Sequence, residues 1–174
     1  MLVLKMKRIF LILLLLFTFS FPVFSESPFG GLKNPDILPI KVSFLVDKVL
    51  VSQREKFKLH LSVLVEEGWH IYSLQPFQGS EPLATQILME KNNFQSQGDW
   101  KGTDPVLIKD GALGKIVKGY KGHIEFSKTY LVPINIAPQV YSLAGKIVFR
   151  ACNNQICTLP RKFPFQKQIT VVGH

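Results

Sequence analysis

Two cysteines, Cys152 and Cys157, are the only thiols in the chain, and they lie in one short segment, FRACNNQICTLPRKFPF. Thiols at this spacing support three kinds of chemistry: a structural disulfide, half of a metal site, or a dithiol that exchanges disulfides with other proteins. Each kind requires different surroundings. The residues around the pair must therefore decide between them.

A closed zinc site needs four nitrogen or sulfur ligands, usually two closely spaced cysteines with histidines at matching spacing. The chain has four histidines, which show no such pairing: His60, His70, His123 and His174. We therefore expect no bound metal, and no motif indicates another cofactor.

A structural disulfide is the main alternative to a redox-active one. Closing a loop of about six residues stabilises a fold by only about 2 kcal/mol in the loop-entropy model, and a chain rich in Val, Ile, Leu and Phe should not depend on it. Secreted proteins nevertheless carry such disulfides, so the spacing alone leaves both interpretations open. Reduction potential separates them, because structural disulfides typically lie below about −300 mV.

The residues beside the cysteines favour an accessible pair. An apolar strand, 147–149, leads to Cys152, and the polar residues 153–155 favour a turn. This arrangement places both sulfurs at a connection between strands, where another protein can reach them. Nearby cations favour the thiolate that carries out exchange. Three cations flank the pair: Arg150, Arg161 and Lys162.

The first 25 residues predict a secretory signal peptide. Basic residues precede an apolar run, 9–17, and a small-residue pattern ends at Ser25. Three basic residues lie in this segment, so its removal lowers the formal net charge from +9 to +6 and leaves 149 of 174 residues. We expect an exported protein, membrane-anchored if the leader is retained. The remaining charges are scattered, which argues against a nucleic-acid partner.

After an extended lead-in, residues 26–39, the pattern has period two and predicts one domain, residues 40–174. In 57–65, apolar residues alternate with polar ones, as in a half-buried strand. Similar segments recur and no helical stripe follows the leader, so we predict an all-β, immunoglobulin-like antiparallel β-sandwich of seven or eight strands. Candidate strands also include VPINIA, residues 132–137.

One segment, residues 98–123, does not fit the strand pattern, because six Gly and five Lys surround small apolar clusters. Such composition is typical of a binding loop or lid. A solvated hairpin accounts for the composition equally well.

The export signal, the strand-rich body and three segments together resemble the amino-terminal periplasmic domain of the thiol:disulfide interchange protein DsbD. The segments are GWHIYS, GYKGHIEF and the aromatic-x-Ala-Cys run that continues to a second Cys and Pro, within residues 39–172. The order and spacing of the three segments make the resemblance specific.

The resemblance implies a redox-active pair at one edge of an immunoglobulin-like domain, acting as a protein-disulfide reductase. Cys157 would form the mixed disulfide with partners and Cys152 would resolve it. A thioredoxin-like donor would supply the electrons, and periplasmic disulfide isomerase-type proteins would accept them. Candidate neighbours of the pair are Arg150, Arg161, Tyr72 and Tyr120.

The sequence departs from the family pattern at three places. Thr158-Leu159-Pro160 stands where the family usually has Leu or Tyr followed by two prolines. The resemblance also implies a cap loop before the GYKGHIEF segment that shields the pair, opens on docking and often presents an aromatic residue, but residues 103–117 contain none. The family's full-length protein continues into membrane helices and a thioredoxin-like domain, so a domain ending at His174 is expected to obtain electrons from a separate protein associated with the inner membrane. The competing hypothesis is a binding or scaffold module with an inert disulfide.

Overall fold

The computed structural model describes residues 39–77 and 79–173. The expected signal peptide, 1–25, and the lead-in except for Pro39 lie outside the described residues. The described residues form twelve strands: β1 Ile40–Val46, β2 Leu50–Ser52, β3 Lys56–Val65, β4 His70–Tyr72, β5 Gln86–Met89, β6 Gln95–Gly102, β7 Val106–Asp110, β8 Lys115–Tyr120, β9 His123–Leu131, β10 Val140–Phe149, β11 Ala151–Cys152 and β12 Arg161–Val172. One 3₁₀ turn, Glu81–Leu83, is present, and no helix in this part of the chain is long and apolar enough to cross a membrane.

The strands form three four-stranded sheets, in the orders β1-β3-β9-β6, β2-β12-β10-β5 and β11-β4-β8-β7. All pairs are antiparallel except β12 with β2. The all-β, immunoglobulin-like architecture predicted from the sequence is confirmed. More strands are present than expected, because several are only two to five residues long and leave little periodic signal.

Alternation in the sequence sets the inward faces of the two large sheets. The apolar positions of β3 predicted to face inward are all buried: Phe57, Leu59, Leu61, Val63 and Val65. Aromatic contacts join the two sheets across the core, since the Phe44 ring of β1 lies 5.0 Å from that of Phe165 in β12. The sandwich therefore rests on a continuous apolar layer.

Two expectations about individual segments needed correction. VPINIA was predicted as a strand but is a turn, in which Val132 pairs with Arg54 and Glu55 through backbone hydrogen bonds of 2.9 Å. The Gly- and Lys-rich segment contains regular structure, because β7 and β8 form a hairpin in full register from Val106 opposite Gly119 to Asp110 opposite Lys115. The hairpin alternative is therefore the correct description of the backbone.

The third sheet contains Cys152 together with buried polar residues, and it is joined to the sandwich by a very short connection. Its strand β11 follows β10 after a single residue, Arg150. Its strand β4 lies between β11 and β8, with Ile71 opposite Ala151 on one side and Tyr120 on the other. A strand only three residues long thus holds the two halves of this sheet together.

Close approach of β4 and β8 requires a glycine at position 119. A Cβ atom there would lie 2.5 Å from the backbone oxygen of Ile71 and 3.0 Å from Cδ1 of Ile108. We expect Gly119→Ala to lower the free energy of unfolding by about 1–3 kcal/mol through overpacking. Denaturant unfolding with the disulfide intact measures this loss.

Gly173→Ala is the matched control, because its added methyl would meet only Pro138 Cγ at 3.6 Å, an ordinary contact. We expect it to change stability by no more than about 0.5 kcal/mol. Equal stability of the two variants would contradict the requirement for glycine at position 119.

Candidate redox site

The cysteine pair closes a short, well-ordered loop at the end of β11. Cys152 and Cys157 form a disulfide, with their Cα atoms 4.1 Å apart, and pair as an isolated antiparallel bridge. Asn153 shapes the turn between them, because its Oδ1 accepts hydrogen bonds of 2.8 Å from the backbone N–H groups of Gln155 and Ile156. Such side-chain-to-backbone bonds are the reason that Asn favours turns.

Thr158 anchors the far side of this loop to β11. Its backbone N–H donates to the Ala151 carbonyl at 2.8 Å, and the Ala151 N–H donates back to Thr158 Oγ1 at 3.1 Å. The departure from the family pattern at position 158 thus supplies a hydroxyl that holds the loop closed.

The two sulfurs lie in different environments. Cys152 is fully buried in a small apolar cluster with Tyr72, Ile108 and Val117, whereas Cys157 is half-buried at the edge of that cluster. The aliphatic side chains of Ile108 in β7 and Val117 in β8 therefore pack against the inner sulfur. The outer sulfur is the one closer to solvent.

A buried tyrosine connects the disulfide to a buried carboxylate. The Tyr72 hydroxyl lies 3.0 Å from Cys152 Sγ and 3.8 Å from Cys157 Sγ. It donates a hydrogen bond of 2.7 Å to Asp110 Oδ2. Tyr72, expected beside the pair, thus lies directly against the inner sulfur.

Asp110 lies at the end of β7 and has no solvent exposure. Besides Tyr72, its Oδ2 lies 3.2 Å from His70 Nε2, and its Oδ1 accepts a 2.9 Å bond from the backbone N–H of Leu113. These three bonds tie β4, β7 and the β7–β8 turn together around one carboxylate. Buried charged groups require such partners, since an unpaired one is costly.

The electrostatics of the cluster favour an ionised Asp110 beside neutral neighbours. Burial alone would raise the pKa of Asp110, but bonds from Tyr72, the Leu113 N–H and His70 together hold it below its usual value. Burial lowers the pKa of His70, and burial with the Asp110 bond raises the pKa of Tyr72. A neutral His70 must then carry its hydrogen on Nε2 in order to donate to the carboxylate.

The other expected neighbours of the pair have different surroundings. Arg150 is half-buried and its charge acts on Tyr72, opposing the rise in the tyrosine's pKa. Arg161 is exposed at the start of β12. Tyr120 is buried against Phe126, and its hydroxyl is placed 3.4 Å from the Leu74 N–H rather than at the disulfide.

Sequence reasoning did not assign Asp110 or His70 to this site. Asp110 precedes Gly111, so the pair signals a hairpin turn, and nothing in that local pattern indicates a buried charge. His70 sits in the GWHIYS segment beside Ile71, where its burial follows only from the position of β4 inside the third sheet. Both assignments depend on the tertiary pairing of strands distant in sequence.

Comparison with known proteins identifies the family of this chain. The family model described as "Thiol:disulfide interchange protein DsbD, N-terminal" matches residues 36–168. No curated protein sequence gives a significant match. Among solved structures, the N-terminal periplasmic domain of ScsB from Proteus mirabilis is similar, with a TM-score of 0.52 and 21% identity over 76% of this chain and 47% of that chain.

The chain therefore spans about half the length of that ScsB structure. A type I cohesin from Pseudobacteroides cellulosolvens is less similar, with a TM-score of 0.43 and 10% identity over 76% of this chain and 93% of that chain. The family match, together with the disulfide at Cys152 and Cys157, supports thiol:disulfide interchange in general. The resemblance noted from the sequence is confirmed, and the chain belongs to the DsbD N-terminal domain family.

Proposed function

We propose that this domain relays electrons by dithiol/disulfide exchange through Cys152 and Cys157. Its donor is a thioredoxin-like protein, and its acceptors are disulfide isomerase-type proteins of the thioredoxin fold. The observation that carries the proposal is the unequal exposure of the two sulfurs in a domain of the DsbD N-terminal family. A relay needs one sulfur that partners reach and one that they do not.

Burial supports Cys157 as the sulfur that forms mixed disulfides. An incoming thiolate must approach the attacked sulfur in line with the S–S bond. Cys152 is unsuited to this attack because Tyr72, Ile108 and Val117 enclose it. Cys157 is half-buried, and its neighbours in the chain are open to a docking protein. Ile156 is 60% exposed and Leu159 is 79% exposed, and such apolar side chains favour contact with a partner.

Tyr72 supports the assignment of Cys152 as the resolving sulfur. The hydroxyl hydrogen of Tyr72 is directed at Asp110, so its oxygen is left to accept a hydrogen bond from a reduced Cys152. Accepting from an S–H group favours the thiol of Cys152 over its thiolate. The buried sulfur would then stay unreactive until a mixed disulfide forms at Cys157.

The exchange steps balance as two electrons and two protons. A donor thiolate attacks Cys157 Sγ, and Cys152 is released and takes up a proton. The second donor thiol then attacks the donor sulfur of the mixed disulfide, which releases Cys157 and completes reduction of the pair. In the second half, the Cys157 thiolate attacks an acceptor disulfide. Cys152 then attacks Cys157 Sγ, which restores the intramolecular disulfide and releases the acceptor as a dithiol.

The proposed location is the periplasm, where disulfides persist and where the family's N-terminal domain resides. Export would depend on the leader at residues 1–25, removed from the mature protein. Electrons would arrive from an inner-membrane electron-transport protein or a domain linked to it. The proposed activity therefore needs a partner but no bound cofactor.

Cys152→Ser tests the roles of the sulfurs. In the reduced variant, mixed with an oxidised thioredoxin-fold disulfide isomerase, Cys157 should attack, and this domain then has no second thiol with which to resolve the product. We expect a covalent complex to accumulate on non-reducing gels and to disappear on reduction.

Cys157→Ser is the matched control, because it removes the same sulfur chemistry from the other end of the disulfide. We expect it to accumulate little complex. The reverse pattern would exchange the two roles. A complete lack of complex with both variants would favour the binding or scaffold module with an inert disulfide.

We also propose that residues 98–118 act as a mobile cover over the pair. The β7–β8 turn lies directly on the cysteine loop, because a Cβ atom at Gly111 would clash with the backbone of Asn154. Among the described strands β7 pairs with β8 alone, whereas β3 lies between β1 and β9. Lids are generally drawn from such low-stability segments.

Hydrogen exchange tests the cover. We expect residues 98–118 to exchange faster than 57–65 in the free protein. The turn at 111–114 should exchange still faster in the Cys152→Ser mixed disulfide, where a partner must displace it. Strand β5, an edge strand of another sheet, is the control and should not change in the complex. Strong protection of the turn in both states would contradict a cover that opens.

A further inference from the structure

Two buried side chains beside the disulfide, His70 and Asp110, form a set of metal-binding atoms together with Cys152. His70, Asp110 and Cys152 each offer one ligand atom, and these atoms lie within 4.8 Å of one another. They come from β4, β7 and β11, so the third sheet assembles them from distant parts of the sequence. The spacing of histidines in the sequence gives no sign of this cluster.

The distances suit a tetrahedral zinc ion. His70 Nε2 and Asp110 Oδ2 are 3.2 Å apart, and two nitrogen or oxygen ligands at zinc distances span about 3.3 Å across a tetrahedral edge. A zinc ion could therefore replace the hydrogen now shared by these two atoms with little movement of either side chain. The sulfur of Cys152 would need to move closer by at most about 1 Å.

We propose that the reduced form of this domain binds one zinc ion through His70, Asp110, Cys152 and Cys157. The oxidised form holds both sulfurs in the disulfide and so offers no thiolate ligand. Reduction frees both sulfurs, and Cys157 supplies the fourth ligand because it starts out bonded to Cys152. Thiolate, imidazole and carboxylate groups are each ligands that zinc takes in proteins, and four of them complete a tetrahedral site.

Hydrogen bonds already orient the carboxylate for this role. The Leu113 N–H holds Asp110 Oδ1 at 2.9 Å and the Tyr72 hydroxyl donates to Oδ2 at 2.7 Å. Outer partners of this kind fix ligand orientation in metal sites, and their loss typically weakens metal binding by 10- to 100-fold. The site would therefore be organised before the metal arrives.

Zinc binding would switch off electron relay. Both thiols lose their protons to solvent and His70 moves its hydrogen from Nε2 to Nδ1, while the zinc ion and the sulfurs keep their oxidation states. With both thiolates coordinated, neither attacks an acceptor disulfide. This inference rests on the proposed function only in requiring that the disulfide be reducible.

Zinc titration of the full chain tests the inference. The protein is reduced with a phosphine, freed of metal and titrated with zinc by calorimetry, and cobalt serves as a spectroscopic substitute. We expect one zinc per chain, cobalt spectra typical of tetrahedral thiolate coordination, and no such binding by the oxidised protein. Zinc should also block transfer to a disulfide isomerase, and a chelator should restore it.

Variants distinguish zinc binding by all four ligands from zinc binding by the two sulfurs alone. We expect His70→Ala and Asp110→Asn each to weaken zinc binding by about tenfold or more, while His123→Ala, at an exposed histidine, leaves it unchanged. Circular dichroism of the oxidised variants checks that each one is folded, and Asp110→Asn preserves the shape of the side chain if His70→Ala does not fold.

Zinc binding of unchanged strength in both ligand variants would overturn the inference, as would a reduced protein that binds no zinc. Electron transfer is measured separately in metal-free buffer. A domain that transfers electrons but binds no zinc would contradict only this inference, whereas one that binds zinc but transfers no electrons would contradict only the proposed function.

Discussion

The carboxylate of Asp110 is fully buried, and a buried charge without partners is costly. Its hydrogen bonds to Tyr72, His70 and the Leu113 N–H therefore fix where β4 and the β7–β8 hairpin lie relative to each other. Removing one partner of such a group typically costs about 1–3 kcal/mol. The same constraint reaches the disulfide, because the Tyr72 hydroxyl that is bonded to Asp110 also lies 3.0 Å from Cys152 Sγ.

In the third sheet, the residues bonded to Asp110 are positioned by a very short strand. Strand β4 has three residues, yet it pairs with both β11 and β8 and is buried along its whole length. The side chains of His70 and Tyr72 lie two positions apart and so project from the same face of the sheet. That face carries Cys152 on one side and the buried end of β7 on the other. The two large sheets supply a rigid support to which this small sheet is attached through β10.

Sequence patterns were sufficient for the large sheets but not for the site. Strict alternation in β3 identified its buried face, because each inward position of a half-exposed strand must be apolar. The cysteine loop was also predictable, since Asn153 and its polar neighbours favour a turn between strands. The short strands carry too few residues for a periodic signal. The prediction of a strand for VPINIA was wrong because Val132 and Ile136, although both buried, reach the core from a turn.

Assignment of Asp110 and His70 required the pairing of β4 with β8 and β11, which no local pattern encodes. The β7–β8 hairpin shows the same limit, because the Gly and Lys content of residues 98–123 concealed its regular pairing. Its inward positions Ile108 and Val117 pack with Tyr72 around Cys152. Family membership supports interchange chemistry in general. The geometry of Tyr72 and Asp110 supports the proposal that the two sulfurs have different roles in it.

The reduction potential of the Cys152–Cys157 pair tests the central claim most directly. Equilibration of the wild-type domain with glutathione or thioredoxin redox buffers, followed by trapping of free thiols, measures it. A redox-active pair that accepts and passes on electrons should have a potential above about −300 mV, within reach of thioredoxin-like partners. A potential well below about −300 mV would identify the disulfide as a structural one and contradict the account.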